Sequence, residues 1–319
     1  MNIIHYGKDA APFDSKTAIT VGTFDGVHFG HKGIIKRMLT VARENNERTV
    51  VMTFDPHPQI VLAKPGRQPL RLLTSIDERC DLLHEAGVDT VIVIPFTKEF
   101  SALPADVFIR SVIVESIGVQ HFFIGHDHSF GKDRGGNEEL LQQLGNELGF
   151  LVERIPPLVC DGIIVNSTKI REAVNEGKVD EARSMLGRPY SVRGVVQHGA
   201  GRGRTLGIPT ANVKPLEPYK LLPANGIYVA SSVINGQAVV GMASVGVRPM
   251  FTDDVEPTLE VNYLDIEVDL YGKELDVEFH ARLRDEINYA TVEELLTQIE
   301  VDKQQTRMYQ QIIIERSTS

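Results

Sequence analysis

Cysteine is nearly absent from this chain. Cys80 and Cys160 are the only two, at no metal-like or redox-like spacing, so a disulfide framework is not in play. Long apolar runs are missing as well: no stretch approaches the roughly 18 consecutive apolar residues needed to cross a bilayer. The start, MNIIHYGKDAAPF, lacks a basic segment followed by an apolar one, and a secretory leader is not expected. Basic charge is in deficit. Lys and Arg number 33 against 43 Asp and Glu, a formal net charge of -10. The deficit is spread along the chain, with 12 Lys and Arg against 18 Asp and Glu from Tyr190 onward and 21 against 25 before it. Nucleic-acid binding is dominated by phosphate neutralisation, so neither half reads as a nucleic-acid module. The expected setting is a reducing cytoplasm, with no membrane and no nucleic-acid partner.

What is present is an ordinary globular composition, 42% hydrophobic and 24% charged, in 319 residues, enough for two domains that each bury a core. Two textures divide the chain. Up to about residue 188, short apolar runs (TAITVGTF, TVVMTF, TVIVIPF, VQHFFIG, FLVERI) alternate with helical patterns (HKGIIKRMLTVARENN, IDERCDLLHEAG, ADVFIRSVIVESIG, NEELLQQLGNELG). Runs such as Val91 to Pro95 are apolar on both faces, as in a parallel sheet covered on both sides, and the alternation predicts a doubly wound α/β domain. After LGRPY at 186–190 come closely spaced strand candidates, with Asn235-Gly236 between two apolar runs as a hairpin signal. The last segment, TVEELLTQIEVDKQQTRMYQQIIIERS, has Thr291 as a helix N-cap candidate with Glu294 three residues on. The expected architecture is a parallel-sheet domain over residues 1–186 and a small antiparallel β-barrel with a C-terminal helix over residues 187–319.

The stretch VGTFDGVHFGH at 21–31 follows the first strand of the α/β half. In a doubly wound sheet that loop lies where ligands bind, and the next helix points its positive N-terminus into the same crevice. Gly22, Gly26 and Gly30 permit tight turns and close approach of a phosphate. His28 and His31 can donate hydrogen bonds to phosphate oxygens, most strongly where charge builds on phosphorus in a transition state. A lone His there would more often just cap a turn. Elsewhere, Ser167 and Thr168 in STKIR read as an ordinary helix start, and His57 is held between two prolines in TFDPHP. GAGRGRTLG at 199–207, with Arg202 and Arg204, suits either a phosphate-covering loop or a solvated one. In TLEVNYLD the alternation puts Leu259, Val261 and Tyr263 on one face and Glu260 and Asn262 on the other. From pattern alone Glu260 is a solvated strand carboxylate.

These motifs together carry a resemblance. GTFDGVHFGH looks like the nucleotidyltransferase signature of the bacterial bifunctional riboflavin kinase and FMN adenylyltransferase (FAD synthetase) family, and TFDPHP, GHDHSFGKDRGG and NSTKIREAVNEGKVDEARSMLGRPY resemble its following blocks in order. LGIPTANV at 206–213 is similar to the flavokinase signature, and LEVNYLDIEVDLYG at 259–272 to the segment carrying that kinase's glutamate. The resemblance implies ATP-dependent phosphorylation of riboflavin in the second domain and transfer of AMP from ATP to FMN in the first, giving FAD and pyrophosphate, with Mg²⁺ at both sites. It implies His28 and His31 at the ATP triphosphate and Arg171 at its pyrophosphate end. Gly22, Phe24, Asp25, Gly26, Gly30, His57, Asp127, Ser167 and Thr168 would surround the nucleotide and flavin. In the barrel it implies Glu260 as the base, Thr210 and Asn212 on Mg²⁺, and Gly207, Pro209, Arg202 and Arg204 around the nucleotide. Small molecules are then the only partners, for a monomer or a weakly self-associating chain. The chain departs from the family pattern at Asn262, often His there, at His128 and Ser129, and at Asn166. Other readings of the same motifs are a nucleotidyltransferase for another phosphorylated metabolite with an accessory barrel, and a non-catalytic flavin-sensing regulator.

Overall fold

Strands buried on both faces come first in the chain. β2 (Thr17–Val21) is buried throughout, and β3 (Arg48–Asp55), β4 (Thr90–Pro95) and β5 (His121–Gly125) are buried along most of their length. With β1 (Asn2–His5) and β6 (Leu151–Ile155) they form a six-stranded sheet of order β1-β4-β3-β2-β5-β6, parallel at every pairing. β1 has only Ile4 buried and lies at the sheet edge. Its weak apolar pattern explains why no strand is read there from sequence. In the computed structural model the chain divides into two compact units, Met1–Ser167 and Thr168–Ser319. The structure describes all residues except 1, 10–12, 67, 127–129, 133–134, 161, 200–206, 250–254 and 318–319.

Successive residues of the central strands feed two cores. Ile19, Val50, Met52, Ile92 and Phe122 join one, and Ala18, Val51, Val91, Val93 and Phe123 the other. The second core is covered by α1 (Phe29–Asn45), through Ile35, Met38 and Val41, and by α3 (Ile76–Glu85), through Cys80 and Leu83. Three short helices, α2 (Pro58–Val61), α4 (Lys98–Ser101) and α5 (Ala105–Val107), sit in connections. The first core is covered by a π-helical segment at Phe108–Ile117, where the sequence predicts a regular helix, and by α6 (Glu138–Leu148). A two-stranded ribbon, β7 (Val159–Cys160) and β8 (Ile163–Ile164), precedes α7 (Ser167–Asn175). The order of strands reverses between β2 and β5, which puts the loop after β2 at the topological switch point.

The second unit is a closed antiparallel barrel, β10-β13-β12-β11-β14-β9, made of β9 (Tyr190–Gln197), β10 (Ala211–Pro215), β11 (Gly226–Ile234), β12 (Gln237–Pro249), β13 (Val255–Tyr263) and β14 (Glu274–Arg284). Asn235 and Gly236, at φ 52° and 80°, form the expected two-residue turn, with Ile234 opposite Gln237. The final helix, α9 (Val292–Ser317), starts as predicted: Thr291 Oγ1 accepts from Glu294 N–H at 3.2 Å, although the Glu294 carboxylate takes its return bond from Ala290 N–H. α9 is clamped by Asp302, only 2% exposed, which accepts from Arg284 at 2.7–3.1 Å. Contact density places most of α7 and all of α8 (Val179–Leu186) with this unit. Ala224 N–H donates to Val174 O, and the Arg282 guanidinium to Glu176 O. The change of sequence texture itself lies further on, near residue 188.

Candidate active sites

The first site grows from the end of β2. Gly22 N–H still donates to Met52 O at 3.0 Å; beyond it the chain passes through left-handed backbone at Phe24 (φ 49°), Gly26 (86°) and Val27 (39°). Gly26 adopts this freely, but Phe and a β-branched Val do not, and such geometry persists only where its surroundings over-determine it. Asp25 supplies the constraint. Its carboxylate is fully buried and accepts from Leu73 N–H (3.1 Å), Thr74 N–H (2.9 Å) and the Thr74 hydroxyl (3.0 Å). Gly26 N–H donates to that same hydroxyl, and Ser167 Oγ, at the start of α7, donates to Asp25 O at 2.9 Å. The Asp25 side chain is thus occupied in pinning the loop.

The pinned loop delivers the two histidines. His28 caps α1, its Nδ1 accepting from His31 N–H at 3.4 Å, so a neutral His28 ring carries its proton on Nε2. The imidazoles of His28 and His31 stack at 3.6 Å between centroids, with Phe24 at 4.9 Å from His31. A Cβ on Gly30 would come within 3.0 Å of the His28 ring, and glycine there gives the imidazole its room. His31 Nδ1 is buried without a hydrogen-bond partner among the described residues. Burial first, then His28 and Arg79, hold the His31 imidazole well below the usual 6.5, and it is neutral at pH 7. The positive charge at this end of the site is Arg79. It is 1% exposed and donates to Thr53 Oγ1 (3.0 Å) and Phe54 O (3.1 Å), while Thr53 in turn donates to Thr23 O (3.0 Å).

His57 caps α2, its Nδ1 accepting from Gln59 N–H at 3.1 Å, and is buried. Around the carboxyl ends of β3 and β4 runs a chain of rings, Phe54–Phe96–Phe100–Phe108–Phe130, with successive centroids 5.5 to 6.0 Å apart. Sequence reading missed these rings, and it missed Thr74 and Arg79. Arg79 left a trace, since it stands three residues after Ile76 and four before Leu83 on the apolar stripe of α3. Of the expected site residues, Asp127, Arg202 and Arg204 lie outside the described residues, as do His128 and Ser129. In the second unit Thr168 is exposed on α7 and Arg171 is partly buried one turn later.

The second site lies on the barrel wall. Leu259 and Val261 point into the core, which turns Glu260 to the other face as the alternation predicts. Glu260 stands opposite Asn212 of β10 on one side and Ser244 of β12 on the other. The Thr210 hydroxyl donates to Glu260 Oε2 at 3.2 Å, and the buried Asn262 amide donates to Pro209 O at 2.7 Å. Gly199 packs directly on the Asn212 side chain, where any Cβ would overlap it. Gly207, at φ 76°, turns the chain into this segment. Pro209, Thr210, Asn212 and Glu260 are therefore brought together, with hydroxyl, amide and carboxylate oxygens in one cluster. Among the described residues no group of three His, Cys, Asp or Glu could hold a metal ion.

Residues 10–169 match a family described as FAD synthetase, and residues 186–310 one described as riboflavin kinase. Bifunctional riboflavin kinase/FMN adenylyltransferases are similar along nearly the whole chain. That of Listeria monocytogenes is 36% identical over 93% of both chains, that of Pseudomonas fluorescens 38% over 89% of both, and that of Escherichia coli K12 35% over 91% of this chain and 92% of its own. A crystal structure from Streptococcus pneumoniae, described as a macrolide-efflux protein, superposes with a TM-score of 0.86 at 33% identity, over 96% of this chain and 99% of that one. No helix among the described residues of the present chain is long and apolar enough to cross a membrane. With both segments matched in order and relatives alike nearly end to end, this chain belongs to the bifunctional riboflavin kinase/FMN adenylyltransferase family.

Proposed function

We propose that the barrel phosphorylates riboflavin to FMN with ATP and that the parallel-sheet domain then joins FMN to AMP, giving FAD. The observation that carries this reading is the barrel cluster, in which Thr210 is hydrogen-bonded to Glu260 with Asn212 in register beside it. An accessory barrel would have no use for it. In the kinase step the terminal ribityl hydroxyl attacks the γ-phosphorus, a P–O bond to ADP breaks, and Glu260 takes the hydroxyl proton. A primary alcohol is a poor nucleophile at neutral pH and benefits from such a base. Thr210 and Asn212 offer hard, neutral oxygens and fit a Mg²⁺ ion that keeps most of its ligands from water and phosphate. Bound there, the ion would offset phosphate charge as the phosphoryl group moves. Gly207 and Pro209 shape the approach of the nucleotide, with Arg202 and Arg204 assigned to its phosphates.

In the adenylyl step an FMN phosphate oxygen attacks the α-phosphorus of ATP and pyrophosphate leaves. His28 and His31 are assigned to the triphosphate as hydrogen-bonding rings, His31 as a neutral one, placed by the pinned loop and by the N-terminus of α1. The aromatic run from Phe54 to Phe130 offers apolar faces on which the isoalloxazine ring can lie, with His57 beside it. Arg171 with Ser167 and Thr168 is assigned to the pyrophosphate. An enzyme of this kind works in the cytoplasm, where its ATP is. The test is incubation of the purified chain with riboflavin, ATP and Mg²⁺, followed by chromatography of the flavins. FMN and then FAD are expected; riboflavin left unchanged would contradict the reading.

A further inference from the structure

The ladder between β10 and β13 is short. It holds two residue pairs in register, Ala211 with Val261 and Asn212 with Glu260. Continued by one, it would pair Thr210 with Asn262, but the strand assignment stops at Ala211. Pro209, one residue further back, has no N–H to offer a neighbouring strand. At this point a side chain takes over from the backbone. The Asn262 amide is 7% exposed and donates to Pro209 O at 2.7 Å, across the gap where the ladder ends. The carbonyl so held belongs to the peptide bond preceding Thr210, whose hydroxyl lies on Glu260.

We propose that Asn262 is a positioning residue for phosphoryl transfer: by holding the Pro209 carbonyl it fixes the turn that sets Thr210 against Glu260. The inference rests on the assignment of Glu260 and Thr210 to the kinase site. Asn262 touches neither substrate nor base and acts through the Pro209 peptide. Pro209 itself is exposed, so without the Asn262 donor its carbonyl turns to water and the turn gains freedom to move. The segment that moves is the one offered to the nucleotide phosphates, so the loss falls on ATP and not on riboflavin.

The test compares Asn262→Leu, which has similar volume and no donor, with Asn262→His, which keeps an N–H that can reach a carbonyl. In the full chain, Asn262→Leu is expected to raise the KM for ATP in FMN formation about fivefold, the equivalent of one neutral hydrogen bond of ordinary strength, with the KM for riboflavin unchanged. Amide hydrogen exchange should speed up at 210–212, a readout that needs no bound nucleotide. Asn262→His should restore both. Unchanged exchange at 210–212, or a loss confined to kcat that tracks the folded fraction, would overturn the proposal. Glu260→Ala run in parallel separates the two levels. If it leaves FMN formation intact, the kinase-site reading fails; if it abolishes FMN formation while Asn262→Leu behaves as wild type, only the role of Asn262 fails.

Discussion

At the scale of single residues, His31 is the group whose state differs most from what its type suggests. Burial, His28 and Arg79 keep it neutral, so its contribution at pH 7 is a directed hydrogen bond and the nearby positive charge is the guanidinium of Arg79. The shift has a consequence for stability. In the unfolded chain His31 binds a proton as pH falls through about 6.5, while in the fold it does not, so stability rises with pH across that window and is lost below it. Urea denaturation at about pH 7 and pH 5 should show the wild-type first unit weakening on acidification, and His31→Gln should weaken less. Equal pH dependence in the two chains would sink the assignment. Little of this was legible in the sequence. GTFDGVHFGH marks the place, but neutrality arises first from burial that only the fold creates, then from His28 and from Arg79, far along the chain on a helix whose pattern looks merely amphipathic. Asp25 shows the same limit: the motif groups it with the ligand positions, and only the fold shows its carboxylate taken up by residues 73 and 74.

At the scale of elements, period-two and period-3.6 patterns read through well because burial enforces them. β2 to β5 stand where continuous apolar runs put them, β9 and β11 to β14 where the strand candidates of the second half lie, and the Asn235-Gly236 turn follows from what those residue types allow at positive φ. Elements too short to show a period were silent. β1 at the sheet edge and the β7–β8 ribbon are the examples, and the π-helical register at Phe108–Ile117 has no distinct sequence pattern. The seating of α9 was also illegible, because it depends on Arg284 meeting Asp302, whose side chains are 16% and 3% exposed. Removing one partner leaves the other charge buried and uncompensated. Arg284→Met should therefore destabilise the second unit by about 3 kcal/mol in denaturant unfolding, and adding Asp302→Leu should recover much of the loss. A double variant weaker than the single one would contradict this account of the clamp.

At the scale of the whole molecule, the two textures of the chain correspond to an α/β sheet and a barrel, because parallel and antiparallel sheets bury their strands differently. Texture has less to say about the helices between them. α8 buries Val179, Ala182, Met185 and Leu186, and contact density groups it with the barrel unit. A fragment of residues 168–319 should accordingly phosphorylate riboflavin on its own, and one of 187–319 should melt at a clearly lower temperature, having lost that apolar cover. Equal melting temperatures would show that the helices contribute nothing to the barrel.

The central claim is that one chain carries two separable flavin reactions, with Glu260 serving the first and His31 the second. Chromatography of the flavins formed by the Glu260→Ala and His31→Ala chains, each supplied with ATP and Mg²⁺ and with either riboflavin or FMN, tests it most directly. The account predicts that Glu260→Ala converts FMN to FAD at the wild-type rate but leaves riboflavin untouched, and that His31→Ala turns riboflavin into FMN and stops there. Loss of both reactions in either folded variant, or wild-type FAD output from His31→Ala, would contradict it.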